Sequence, residues 1–193
     1  MMNWGPHKRR ANSMVIGASI ALAIALLSIP LPWLMAHDRD TGWSWAVSAL
    51  GRGEAEGKLG PARASYRFTY SLYPLGILTF SFLIAELLLS TFSIFGPPPE
   101  LMKKVFYIAL IFPLLTGMMY FTLLIVGIGT FSGTLIIYSW SPPGIIIEHE
   151  ELGASEAWAK ADALYPGVGL FLFMTSAITA LLLYRSAWPK KSP

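Results

Sequence analysis

Apolar residues gather into four long runs, about 14–36, 68–95, 105–129 and 164–184. Each has roughly the 20 apolar residues needed to cross a hydrocarbon core of about 30 Å. The pattern predicts four transmembrane helices, a short connection at 96–104, and two longer loops, 37–67 and 130–163.

Charges between the runs are sorted by sign. Segments 1–13, 96–104 and 185–193 carry Lys8, Arg9, Arg10, Lys103, Lys104, Arg185, Lys190 and Lys191, with only Glu100 against them. The two longer loops hold nine of the eleven acids. Lys and Arg concentrate on the cytoplasmic side of membrane proteins. Both termini are therefore expected inside and loops 37–67 and 130–163 outside. The predicted fold class is an all-α membrane protein, a four-helix antiparallel bundle in one integral membrane domain over residues 1–193.

The loops have local patterns of their own. Trp43 to Leu50 reads as a short interfacial helix, and glycine-rich, charged Gly51 to Gly60 as a turn. Ala62 to Tyr73 reads as a helical extension of the second span. In the other loop, Thr134 to Trp140 and Gly144 to Glu150 are rich in β-branched and aromatic residues and are separated by Ser141-Pro142-Pro143. That arrangement suggests a β-hairpin; the competing reading continues span three through Trp140. Ala154 to Leu164 reads as a lead-in helix with Ser155 as its cap and Trp158 at the interface. Consecutive prolines at 97–99 cannot continue a helix, which makes spans two and three antiparallel neighbours.

Composition reinforces the membrane reading. The chain is 54% hydrophobic and 13% charged, whereas soluble domains carry about 25% charged residues. The small net charge of +3 sits beside span ends, where it sets topology, and gives no basic face for nucleic acid. The absence of cysteine excludes thiolate catalysis, cysteine-based metal centres and disulfide-stapled loops. The first run exceeds the roughly 7–15 apolar residues of a signal peptide, and Leu34-Met35-Ala36 makes a poor cleavage site, so it reads as a retained span. Four spans with both ends inside is a layout shared with claudin-like and tetraspanin-like proteins, whose diagnostic cysteines are absent here. Topology alone assigns no family.

Glu86 is the one ionisable side chain deep within a span, about ten residues from its inner end. A charge at that depth costs at least ~2.5–3.5 kcal/mol, so Glu86 is expected to face the interior. Thr116, Thr175, Ser176 and Thr179 lie at similar depth and are its candidate hydrogen-bond partners. Either the group is a relay or ligand contact, or it is a carboxylic acid bridging helices; the lack of a second acid, His or Lys beside it favours the bridge. Gly17, Ala21 and Ala25 recur every four residues in span one and allow close helix approach. They form either an oligomer seam or, as the plainer reading, internal packing.

His37 and His149 sit among acids and are weak candidates for zinc or copper, because their spacing matches no metal signature. Gly127-Ile128-Gly129 lacks the strand–turn–helix context of a phosphate loop and reads as span termination. No catalytic motif and no cofactor ligand set stands out. The expected function is a non-catalytic integral membrane subunit, an accessory component of a larger assembly, with an energy-transducing one as a candidate. It would lie in a lipid bilayer with other membrane subunits or in a homo-oligomer, and would not bind nucleic acid. The alternatives are a small transporter or channel centred on Glu86, or a metal-dependent enzyme using outer histidines and carboxylates.

Overall fold

The computed structural model describes residues 6–40, 42–59, 62–95, 100–138, 145–148, 152–159 and 161–187. Four long helices occupy the apolar runs with shifted bounds: α1 (Pro6–Leu27), α2 (Tyr73–Phe95), α3 (Glu100–Val126) and, after the short α4 (Ala154–Ala159), α5 (Val168–Ala187). Three segments are long and apolar enough to cross a membrane: Tyr73–Ile94, Lys103–Val126 and Val168–Ala187. The apolar part of α1, Ala11–Leu27, is shorter.

The expected all-α four-helix bundle is overturned by what joins the helices. Both long loops are β-structure: β1 (Pro32–His37), β2 (Ser44–Ser48), β3 (Arg52–Leu59), β4 (Ala62–Tyr70), β5 (Thr130–Tyr138), β6 (Ile145–Glu148), β7 (Leu152–Gly153) and β8 (Ala163–Pro166). They form one antiparallel sheet in the order β6-β5-β4-β3-β2-β1-β8, with β7 also paired to β5. The protein is mixed α and β. The strands leave and rejoin the helices at the C-termini of α1 and α3 and the N-termini of α2 and α5. The opposite ends carry Lys8, Arg9 and Arg10 in α1, Lys103 and Lys104 in α3, and Arg185 in α5.

The helices expected over 43–50 and 62–73 are the strands β2 and β4, and in β4 most side chains alternate. Along β4, Ala64, Tyr66, Phe68 and Tyr70 are buried while Arg63, Arg67 and Thr69 are exposed, the period of two of a half-buried strand. The glycine-rich segment expected as a turn is β3. Its Gly53, Ala55 and Gly57 face inward, and a side chain at Gly53 would collide with the Phe68 ring, one at Gly57 with the Trp43 indole. Neighbouring aromatics supply the bulk that β3 lacks.

The β5–β6 hairpin is present, running from Thr134↔Glu148 to Ile137↔Ile145; its Ser141–Gly144 connection lies outside the described residues, as does the proline turn at 96–99. Helix α3 does not continue into it. Gly127 adopts φ +76°, Ile128 N–H donates to the Leu123 carbonyl at 3.0 Å and Gly127 N–H to that of Leu124 at 3.1 Å. This is a Schellman-type stop. Pro74 falls in the first turn of α2, where its missing N–H costs nothing, and Pro113 is carried within α3. The lead-in helix is shortened to α4, and Trp158 is buried, its Nε1 donating to the Leu124 carbonyl at 2.8 Å.

Sheet and helices meet at an aromatic junction. Trp33 of β1, fully buried, sits 4.8 Å centroid to centroid from Phe173 of α5 and 6.0 Å, edge to face, from Tyr120 of α3. Its Nε1 donates to the Ser28 carbonyl at 3.1 Å. The Tyr120 hydroxyl donates to the Ser48 carbonyl of β2 at 2.7 Å, and the Tyr70 hydroxyl of β4 donates to the Ile128 carbonyl. Gly117 makes room, since a Cβ there would stand 2.8 Å from the Phe173 ring. Above this, Trp45, Tyr66, Phe68, Phe131 and Trp158 pack on the inner face of the sheet, with Phe68 and Phe131 4.6 Å apart.

Truncating Trp33 opens a cavity at this junction. Trp33→Ala is expected to lower the unfolding free energy by about 3–5 kcal/mol. Tyr120→Phe, which strands the Ser48 carbonyl, is expected to cost about 1–3 kcal/mol. Chemical unfolding of the purified protein in detergent reads both, and losses under ~0.5 kcal/mol at both sites would disprove the junction's importance.

Burial pushes the Tyr70 phenol up to about 12 from its ordinary 10.0 and raises that of Tyr66. The unfolded chain then releases these protons first, so stability is full below pH 10 and falls as pH climbs from 10 towards about 12. Tyr70→Phe should flatten that alkaline decline in melting temperature; an unchanged slope would exclude Tyr70 as its source.

Candidate functional site: an unpaired carboxylate in a polar seam

Helix α2 is built inside out. The buried residues Gly76, Thr79, Leu83, Glu86, Ser90 and Ser93 recur at alternating spacings of three and four, which places them on one helix face. Four of the six are polar. The opposite face presents Ile77, Leu78, Ile84, Leu88 and Phe92. In lipid, polar side chains turn towards protein and apolar ones towards acyl chains, and α2 obeys that rule along its length. Helix α1 shows the same sense with small residues: Ala18, Leu22 and Ala25 are fully buried while Ile16, Ile20 and Ile24 are exposed.

Hydroxyls close most of this seam in pairs. At its sheet end, Thr79 donates to Thr116 of α3 at 2.9 Å, and Thr116 donates back to its own Phe112 carbonyl at 2.9 Å. Towards the other end, Ser90 meets Ser19 of α1 at 2.5 Å, and Ser19 donates to the Val15 carbonyl at 3.0 Å. Ser93 donates to the Leu89 carbonyl at 3.0 Å.

Glu86 lies between these pairs and is 1% exposed. Neither carboxylate oxygen has a hydrogen-bond partner among the described residues. The Tyr184 hydroxyl of α5 lies beside Ser90 and within electrostatic range of Glu86. Tyr184 is itself held by α3: its carbonyl accepts from the Tyr107 hydroxyl at 3.0 Å, and its ring packs 5.3 Å from Phe106. An apolar residue, fully buried Leu83, separates Glu86 from the Thr79–Thr116 pair.

The partners expected for Glu86 are placed elsewhere. Thr116 is satisfied by Thr79 and Phe112. Thr175 and Thr179 are exposed and donate to the Phe171 and Thr175 carbonyls of their own helix, each at 2.7 Å. Ser176 is buried but has no hydrogen bond to Glu86. The hydroxyls grouped along the seam beside Glu86, those of Ser19, Ser90 and Tyr184, come from three helices, and only Ser90, one turn along, shares the helix of Glu86. Gly17 faces α5, where an added Cβ would stand 3.2 Å from Leu183, and Ala21 and Ala25 are buried on the same helix.

Outside the helices, the sheet's second face is polar. A groove of about 740 Å³ runs over Arg52, Glu54, Arg67, Thr69 and Ser132, with Arg67 Nε 3.0 Å from Glu54 Oε1. That ion pair is exposed, where solvent screens it and it adds little to stability. His37 Nδ1 lies 3.0 Å from the Ser44 hydroxyl, and His149 lies outside the described residues. Among the described residues no three His, Asp or Glu side chains converge as metal ligands. The chain matches no family model, no curated protein and no solved structure.

A buried carboxyl without partners is a stability cost, because its desolvation is uncompensated. Glu86→Met, of similar length and apolar, should therefore leave stability unchanged or raise it by about 1–3 kcal/mol. A loss of comparable size on thermal unfolding would mean that Glu86 is a structural bridge between helices.

Proposed function

We propose that this is a non-catalytic integral membrane subunit that builds a larger membrane assembly by lateral association. Its four long helices hold it in the bilayer, and its β-sheet supplies the contact surface. The sorted charges support the orientation: basic residues gather at the helix ends away from the sheet, so the positive-inside rule puts the sheet on the extracytoplasmic side.

The observation that carries the reading is that, among the described residues, the sheet is open at both ends. There β6 pairs with β5 alone and β8 with β1 alone. Among the described residues no strand covers the far edge of either. β8 also presents Leu164 and Tyr165 at 39% and 43% exposure. Open edges are templates for strand addition unless something blunts them. Every copy carries both edges at the same height above the same bilayer, so the neighbour we assign is a second copy of the chain, its sheet continuing that of the first.

In mild detergent the protein should run as a defined oligomer by light scattering. Leu164→Lys with Tyr165→Lys, which places charge on the edge, should shift it towards the monomer while circular dichroism keeps its helix and strand signals. A monodisperse wild-type monomer, or an oligomer indifferent to the edge charges, would sink this reading.

A further inference from the structure

We propose that Glu86, together with the hydroxyls of Ser90, Ser19 and Tyr184, forms an intramembrane binding site for a monovalent metal cation of the sodium class. This inference is independent of the assembly reading above.

The site stands on what its members still need. The nearby hydroxyl pairs along the seam end on backbone carbonyls, so their protons are used within the protein. Glu86 is left out of these pairs, with both oxygens unpartnered among the described residues at 1% exposure. An acid that merely bridged helices would place its proton on a hydroxyl or carbonyl, and neither oxygen does so. What the carboxylate lacks is positive charge. The groups next along this seam are oxygens: Ser90 one turn along the same helix, Ser19 at 2.5 Å from Ser90, and the Tyr184 hydroxyl beside Ser90 and within electrostatic range of Glu86. Hydroxyl oxygens that donate elsewhere keep lone pairs free for a cation. Oxygen-only ligand sets suit hard cations rather than zinc or copper. One carboxylate balances one positive charge, which favours a monovalent ion where uncompensated charge is expensive.

Among the described residues no basic side chain lies within hydrogen-bond reach of either Glu86 oxygen. Segment Ala11–Leu27 of α1 carries no charged residue. On α5 the titratable groups near this level are Tyr184 and exposed Arg185, and on α3 they are Tyr107 and, nearer the helix start, Lys103. The approach is one-sided. Ser90 and Ser93 extend the polar face from Glu86 towards the α2 C-terminus, about 10 Å in all at 1.5 Å per residue. Buried Leu83 blocks the face on the sheet side. A cation would therefore exchange with the side that carries the basic helix ends, in competition with a proton for the same carboxylate.

A hydrophobic carbodiimide, which modifies protonated carboxyl groups in apolar surroundings, tests this on the purified full-length protein in detergent. Glu86 should be labelled, as located by peptide mass, and Glu86→Gln should abolish that label. Sodium chloride at about ten times the site's dissociation constant should slow labelling roughly tenfold by simple competition, whereas choline chloride at equal ionic strength should not. Ser90→Ala should demand more sodium for the same protection. Labelling that sodium does not slow would overturn the proposal and leave a proton site only. Should Glu86 escape the reagent, melting temperature decides: a rise with sodium but not choline, lost in Glu86→Gln, supports the site, and no sodium-specific rise overturns it.

Discussion

The contact on which the rest of the molecule depends is the aromatic junction where Trp33 wedges between Phe173 and Tyr120. A sheet attached to helix ends by short connections has no intrinsic reason to hold one position above them. Here β1 contributes Trp33, α5 contributes Phe173, and α3 contributes Tyr120, whose hydroxyl reaches the Ser48 carbonyl of β2. Tyr70 and Trp158 add donors to the carbonyls of Ile128 and Leu124 at the end of α3. Rings this large bury considerable area, and their polar tips find partners at the helix termini, where unpaired carbonyls collect. The junction thus satisfies the stop of α3 and fixes the sheet with the same side chains.

Below the junction the packing logic inverts. Helices in lipid gain nothing from burying leucine, so close approach and polar pairing hold them together. Small residues of α1 pack against α5, with Gly17 facing Leu183. The polar stripe of α2 meets α3 through Thr79 and Thr116 and α1 through Ser90 and Ser19. Glu86 breaks the series by having no hydrogen-bond partner among the described residues. A sequence that pairs its neighbouring hydroxyls and leaves Glu86 unpaired among the described residues retains a costly group where an apolar one would fit, and that retention is what the proposed cation site accounts for.

The two proposed roles occupy different halves of the molecule. Lateral association uses strand edges above the bilayer; cation binding uses the helical interior below. The junction between them, with Trp33 fully buried, ties α3 and α5 to the sheet. Tyr107 and Tyr184, bonded across α3 and α5, lie on that connection.

The sequence by itself marked the four helical runs, although the first run extends through Ala36 and β1 begins at Pro32. It showed which way the charges sort and that Glu86 should face inward, because a chain suited to lipid is constrained in length, apolarity and burial of charge residue by residue. It also marked the β5–β6 hairpin through its β-branched runs. It did not determine the sheet. Tyr66, Phe68 and Tyr70 do alternate, but β3 reads as a turn until Phe68 covers Gly53 and Trp43 covers Gly57, so the strand exists only through its neighbours' side chains. Nor did depth along a span select the company of Glu86. Thr116, Thr175 and Thr179 stand at the right height but bond elsewhere, while Ser19 and Tyr184 reach the site through helix rotation and crossing. Height in a membrane is a property of sequence; which face meets which is decided only when the helices pack.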